Sequence, residues 1–97
     1  MLVGLERFDL RIVGSRSLKQ KRHVIKPLCA AIRQRFPVSV AEVEHHDLWQ
    51  RSTIAVACVG AEQHHVRRVL QRIERFVDEW AEVDVIDREL EVLWPDA

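Results

Sequence analysis

Glycine is scarce: the chain has three in 97 residues, widely separated. That excludes the glycine-rich phosphate loops of nucleotide-binding folds, in which neighbouring glycines let backbone N–H groups close around a phosphate. Cysteine is as limited. Cys29 and Cys58 are the two present, in apolar surroundings and without metal-type spacing. They make no disulfide framework, and buried free thiols in a reducing cytoplasm are the expectation. Long apolar runs are missing too. The longest charge-free stretch, Ser52 to Ala61, has ten residues, half of the roughly 20 that a membrane span requires. Glu6 and Arg7 interrupt the apolar start, so residues 1–5 do not read as a signal peptide. No G-x-S-x-G elbow surrounds Ser15, Ser17, Ser39 or Ser52, and neither cysteine has a histidine partner in sequence. The chain reads as cytoplasmic and non-catalytic, without a cofactor.

One further absence is local. Residues 10–41 contain no Asp or Glu, yet hold eight basic side chains: Arg11, Arg16, Lys19, Lys21, Arg22, Lys26, Arg33 and Arg35. The overall net charge is zero, but residues 1–40 carry nine basic against two acidic side chains, a balance of +7, and the remainder six against thirteen, a balance of −7. Clustered positive charge attracts phosphate-bearing partners whatever the total. With 47% apolar and 31% charged residues, the composition is that of a globular protein, and residues 1–97 suffice for one domain. Arg outnumbers Lys twelve to three, which fits a high-temperature or GC-rich source without deciding between them.

Periodicity orders the elements. Phe8, Leu10 and Ile12 alternate with Arg7, Asp9 and Arg11, which predicts a first strand over residues 2–13 with one apolar and one charged face. After a turn at Gly14-Ser15-Arg16-Ser17, Ser17 followed by Gln20 forms a capping-box pattern that opens a helix at Leu18. Leu18, Ile25, Leu28, Cys29, Ile32 and Phe36 share one face of it, and Pro27 is expected to kink it. A second strand over 38–45, a polar connection over 46–50 around Trp49 and a nearly apolar third strand over 51–59 follow, the last expected to be central. Residues 62–80 have helical spacing, and 83–94 read as a closing strand. The order β-α-β-β-α-β, with right-handed crossovers, folds most simply into an α+β, ferredoxin-like sandwich: a four-stranded antiparallel sheet of order 4-1-3-2 with two helices on one face. The first and fourth strands would then be neighbours, with Arg7, Asp9 and Arg11 facing Asp87, Glu89 and Glu91 in a cross-strand charge ladder.

The first-helix N-terminus is the strongest candidate site. A helix start presents free N–H groups and partial positive charge, and acidic side chains are normally preferred there. Here basic residues crowd it instead, which a bound phosphate would explain. Ser15, Arg16, Ser17, Lys19, Lys21 and Arg22 are the expected phosphate or RNA contacts. Lys26 and Arg33 extend them, since Lys19, Arg22, Lys26 and Arg33 fall at i, i+3, i+7 and i+14. A solvated helix face paired with acidic residues elsewhere is the plain alternative. His45, His46 and Asp47, with Glu44 before them and His64-His65 further on, invite a metal reading. Adjacent strand residues point to opposite faces, however, and no metal motif is matched, so no metal is expected. Trp49 either stacks on a base or plugs the end of the sandwich, and burial is the ordinary fate of a lone Trp. The third strand lacks the aromatics with which RNA-recognition motifs stack bases on their sheet.

Three separated strings then carry a resemblance: Gly14-Ser15-Arg16-Ser17-Leu18-Lys19-Gln20-Lys21-Arg22, Phe36-Pro37-Val38-Ser39-Val40-Ala41-Glu42-Val43 and Asp47-Leu48-Trp49-Gln50-Arg51. In this order, over nearly the whole chain, they resemble the YlxP-like bacterial proteins, a domain of unknown function. The resemblance implies the ferredoxin-like sandwich. It also implies a role near RNA or the ribosome, because family members are often encoded among transcription, translation-initiation and ribosome-maturation factors. Pro27 departs from the expected first-helix pattern, and no catalytic residue is carried over. The expectation is a non-catalytic accessory factor for RNA or a ribosomal assembly. The alternative is a homo-oligomeric interaction module, a homodimer paired through the apolar edge of Val38, Val40 and Val43.

Overall fold

Strict alternation makes the first strand the axis of the sheet. In the computed structural model, which describes residues 1–95, β1 (Leu2–Ile12) is followed by α1 (Leu18–Arg35), β2 (Ser39–Glu44), β3 (Arg51–Gly60), α2 (Gln63–Asp78) and β4 (Val83–Leu93). Every second β1 residue from Leu2 to Ile12 is buried, while its Arg7–Asp9–Arg11 face is open. The four strands form one antiparallel sheet of order β2-β3-β1-β4, the 4-1-3-2 arrangement read from its other edge. β3 is central, as its apolar run requires.

Both helices cover the inward face, where Phe8, Leu10, Ile12, Ile54, Val56 and Cys58 of the sheet meet Val24, Ile25, Leu28 and Ile32 of α1 and Val66, Leu70, Ile73 and Val77 of α2 in one cluster. α2 approaches β1 at Gly4, where a Cβ would stand 2.4 Å from Val66 and 2.8 Å from Leu70; only glycine fits beneath that helix. Gly14, at φ +73°, makes the turn into α1. α1 is a single helix through Pro27, which faces solvent, so water can satisfy the carbonyl left without an N–H partner. Where the helices end, Phe36 meets Phe76 edge-on at 5.7 Å and Arg35 lies over the Phe76 ring at 5.2 Å.

The expected charge ladder forms on the helix-free face. Arg7 reaches Glu89 at 3.3 Å and Asp87 at 3.7 Å, and also its own-strand neighbour Asp9 at 2.6 Å. Arg11 pairs with Asp84 at 2.8 Å. Glu91 stays out of the ladder among the described residues.

The inward face holds one group that alternation places there against its chemistry. Glu6 lies between Gly4 and Phe8 on the buried side, 1% exposed, and neither carboxylate oxygen finds a donor among the described residues. Burial first, then the neighbouring Glu74 carboxyl, push its pKa from 4.5 up to about 9; Asp78 adds to this and Arg88 opposes it. Arg88 itself bridges Asp78 at 3.3 Å and Glu74 at 3.9 Å. Glu6 is therefore neutral at pH 7 and can donate its proton to Glu74. A carboxyl raised in the folded state keeps its proton there and loses it on unfolding, so stability falls as pH rises between about 4.5 and 9. Glu6→Gln, which keeps a donor without a titrating proton, is expected to flatten that slope. Chemical denaturation at pH 5 and pH 8.5 should show little change at the first and a gain of roughly 1–3 kcal/mol at the second; parallel pH profiles for the two proteins would refute the assignment.

Candidate phosphate-binding surface at the start of the first helix

The start of α1 is built as its sequence predicts. Ser17 is the extended N-cap, and its Oγ accepts the Gln20 N–H at 3.1 Å. Gln20 Oε1 returns a bond to the N–H of Arg16 at 2.6 Å, one residue earlier than an ideal capping box. Ser15 is buried, its hydroxyl donating to the Ser17 carbonyl at 3.1 Å. Its role is to shape the turn. No acidic side chain occupies the first turn.

Lys21 corrects the sequence reading. It does not face solvent but is 1% exposed. Its Nζ donates to the carbonyls of His45 at 2.7 Å, His46 at 3.2 Å and Arg51 at 3.3 Å, and lies 3.1 Å from Glu42 Oε2. Glu42 also accepts from Ser52 Oγ at 2.7 Å. A buried ammonium needs all its protons engaged, and these groups engage them. Lys21 thus fastens both ends of the β2–β3 connection to α1 and is not available to a phosphate.

The other cations behave differently. Arg16, Lys19, Arg22, Lys26 and Arg33 are exposed. Among the described residues none of the five forms an ion pair; the carboxylate pairings go to Arg7, Arg11, Lys21, Arg88 and His64. Arg33 donates to the Val40 carbonyl at 2.9 Å, which fixes its stem along the β2 edge. With Arg22 and Lys26 it lines a groove of about 340 Å³ between α1 and β2, where Glu42 is the facing carboxylate. A second hollow, of about 430 Å³, opens at the α1 start against Gly14, Ser15, Gln20, His23 and Glu82. Sequence reasoning missed a further contribution: Arg67, Arg68, Arg72 and Arg75 of α2 are also exposed and, among the described residues, without ion pairs. Their signal was the polar side of a strongly amphipathic helix. The helical side is accordingly basic, and the acidic residues of β4 lie across the sheet from it.

The metal candidates diverge. His46 Nε2 meets the Glu42 carbonyl at 3.2 Å. His45, in left-handed conformation at φ 63°, brings its ring to Asp9 and Glu44, all three offering ligand atoms within 4.8 Å of one another. Asp9 is already committed, one oxygen to Thr53 at 2.7 Å and the other to Arg7 at 2.6 Å. Burial raises the Asp9 carboxyl, but those two bonds and the charges of Arg7 and Arg51 outweigh it and hold the pKa below its ordinary value. The cations perform the neutralisation a metal would otherwise provide. Cys29 and Cys58 are buried free thiols, both pushed upward by burial and so poor nucleophiles.

Trp49 also departs from expectation. It plugs nothing: it is 54% exposed, and Leu48 beside it 47%. No helix among the described residues is long and apolar enough to cross a membrane.

A family model described as "Protein of unknown function (DUF503)" matches residues 3–90. The chain belongs to this family. The Uncharacterized protein YlxP of Bacillus subtilis (strain 168) is 30% identical over 83 residues, covering 86% of this chain and 90% of that relative. The family resemblance carried by the three strings is thereby established.

The two roles in the basic block separate by experiment. Lys21→Met is expected to cost about 3 kcal/mol of stability, because it leaves Glu42 and three carbonyls without their donor. Lys19→Glu should change stability by less than about 0.5 kcal/mol. Thermal denaturation of both variants checks the contrast.

Proposed function

We propose that this protein is a non-catalytic, cytoplasmic accessory factor that binds RNA or a ribosomal assembly through the basic start of α1. One observation carries the reading: among the described residues Arg16, Lys19, Arg22, Lys26 and Arg33 stand exposed without carboxylate partners, although the chain holds as many acidic as basic residues. Asp84, Asp87 and Glu89 pair instead with Arg7 and Arg11 on the sheet, and Glu74 and Asp78 with Arg88. Arg16 and Lys19 flank the helix start, where the free first-turn N–H groups add to their field. Arg22, Lys26 and Arg33 continue the row along the β2 groove. Phosphate contacts of this type position a nucleic acid without reading its sequence.

The alternative, a homo-oligomeric module paired through β2, draws on fewer residues than its sequence pattern offered. Val40 points into the core and Val38 packs against it, which leaves Val43 as the exposed valine of that strand.

Filter binding with ribosomal RNA tests the proposal. Five phosphate contacts correspond to a slope of log affinity against log salt of roughly −3.5 to −4.5. Lys19→Glu with Arg22→Glu should reduce that slope by about 2 and weaken binding at least tenfold. Affinity that is absent, or indifferent to both salt and the substitutions, removes the proposal. A strict monomer by sedimentation at high concentration removes the alternative.

A further inference from the structure

The β2–β3 connection presents two large apolar side chains to water at a place the fold holds rigidly. Leu48 and Trp49 form, with Asp47, Gln50 and Arg51, an open groove of about 520 Å³. Isolated apolar side chains at a surface need no explanation. This pair differs in how it is anchored. Lys21 grips the carbonyls of His45 and His46 on one side of the connection and of Arg51 on the other. Gln50 Nε2 donates to the Ser15 carbonyl at 3.1 Å, and the Gln50 carbonyl accepts from the Ile12 N–H at 2.9 Å. A buried charge and two cross-chain bonds thus immobilise a segment whose indole finds no hydrogen-bond partner among the described residues.

The anchoring also fixes what lies beside Trp49. Gln50 is bonded to the residue before Arg16, so the ring shares its end of the sheet with the α1 cations. Arg51 borders the groove as well. Its Nε is buried without an acceptor, and it forms no ion pair among the described residues, although Asp9 lies close enough to feel its charge. The other exposed indole, Trp94, follows the end of β4, where Leu93 pairs with Val3 at the opposite end of β1. A strand of this length separates the two rings by on the order of 30 Å.

We infer that Trp49 is a stacking platform for an unpaired RNA base, with the backbone phosphates flanking that base held by Arg16, Lys19 and Arg51. The inference rests on the RNA-binding reading above and narrows it to RNA with a single-stranded loop or end at this site. A flat aromatic ring accepts any base on its π face, and neighbouring cations hold the sugar-phosphate chain. The sheet face, without aromatics, cannot perform this role. The groove is open on its outer side, so a splayed base reaches the ring without displacing the anchored backbone.

The test measures binding of a single-stranded oligoribonucleotide and of a fully paired duplex of the same length. Trp49→Ala is expected to weaken the single strand 5- to 150-fold, the span seen for loss of one stacked base, and to leave the duplex within about twofold. Trp49→Phe should retain most of the affinity, and Trp94→Ala should match the wild type. Because Trp49 is exposed, its variants should melt with the parent, and Phe against Ala compares two proteins of equal fold. Unchanged single-strand affinity in Trp49→Ala, while Lys19→Glu with Arg22→Glu still weakens it, overturns this inference and leaves the RNA reading intact. Absence of binding to either RNA by the wild type overturns both. Equal losses on single strand and duplex, or a Trp49→Ala defect confined to capture of a protein partner, also overturn it.

Discussion

The structure turns on a single ammonium group. Lys21 occupies a core position of α1, and taking its charge out of water is a penalty of several kcal/mol before compensation. Three carbonyls and the Glu42 carboxylate provide that compensation; the carbonyls come from the two ends of the β2–β3 connection and the carboxylate from β2. A methionine would fill the volume without the cost of desolvating a charge, but would leave Glu42 and three carbonyls without their donor and the connection unfastened. An arginine would carry the charge on a planar fork poorly matched to acceptors grouped around one point. The compact, rotatable ammonium suits acceptors converging from several backbone segments, and so the helix start, the β2 edge and the Trp49 loop are assembled around it.

That assignment divides a block of charge that looks uniform in sequence. Lys21 is structural, Arg33 partly so through the Val40 carbonyl, and Arg35 lies over Phe76. What remains exposed lies along α1 and is joined by the α2 arginines on the same side of the sheet. Meanwhile β4, with Asp84, Asp87 and Glu89, supplies counter-charges to Arg7 and Arg11 on the other side. Net neutrality is therefore a sum over two unlike surfaces. At physiological ionic strength a charge is screened beyond about 8 Å, so an approaching polyanion responds to the surface it meets and not to the total.

Much of this was legible in the chain. The alternation of Phe8, Leu10 and Ile12 with Arg7, Asp9 and Arg11 gave the inward and outward faces of β1, and the order of elements gave the sheet. The two misplaced charges were legible in principle. Lys21 stands three residues after Leu18 and four before Ile25, on the apolar row of α1, and Glu6 holds the inward parity between Gly4 and Phe8. In both cases period and side-chain type disagreed, and reading by type sent a buried charge to the surface. The period prevailed because each position is fixed by many apolar neighbours, while the local environment could adapt by surrounding one charge with acceptors and by protonating the other. Trp49 failed in the opposite sense. Burial is the usual outcome for tryptophan, but among the described residues no helix or strand passes over the β2–β3 connection, and nothing in the local sequence reports what covers a loop.

The buried lysine and the exposed tryptophan are consequences of one arrangement. A surface loop in a domain of this size would ordinarily sample many conformations, and ordering each residue of it on binding would oppose association by roughly 1–2 kcal/mol. With both ends bonded to Lys21 and Gln50 bonded to the turn before α1, most of that ordering is complete before any ligand arrives. The ring and the cations keep a fixed separation, and a ligand that contacts one is already oriented toward the other. Preorganisation of this kind raises affinity without adding contacts. It also accounts for a buried charge in a small core where an apolar residue would have been simpler: the lysine holds the Trp49 connection in register with the helix that carries the exposed cations.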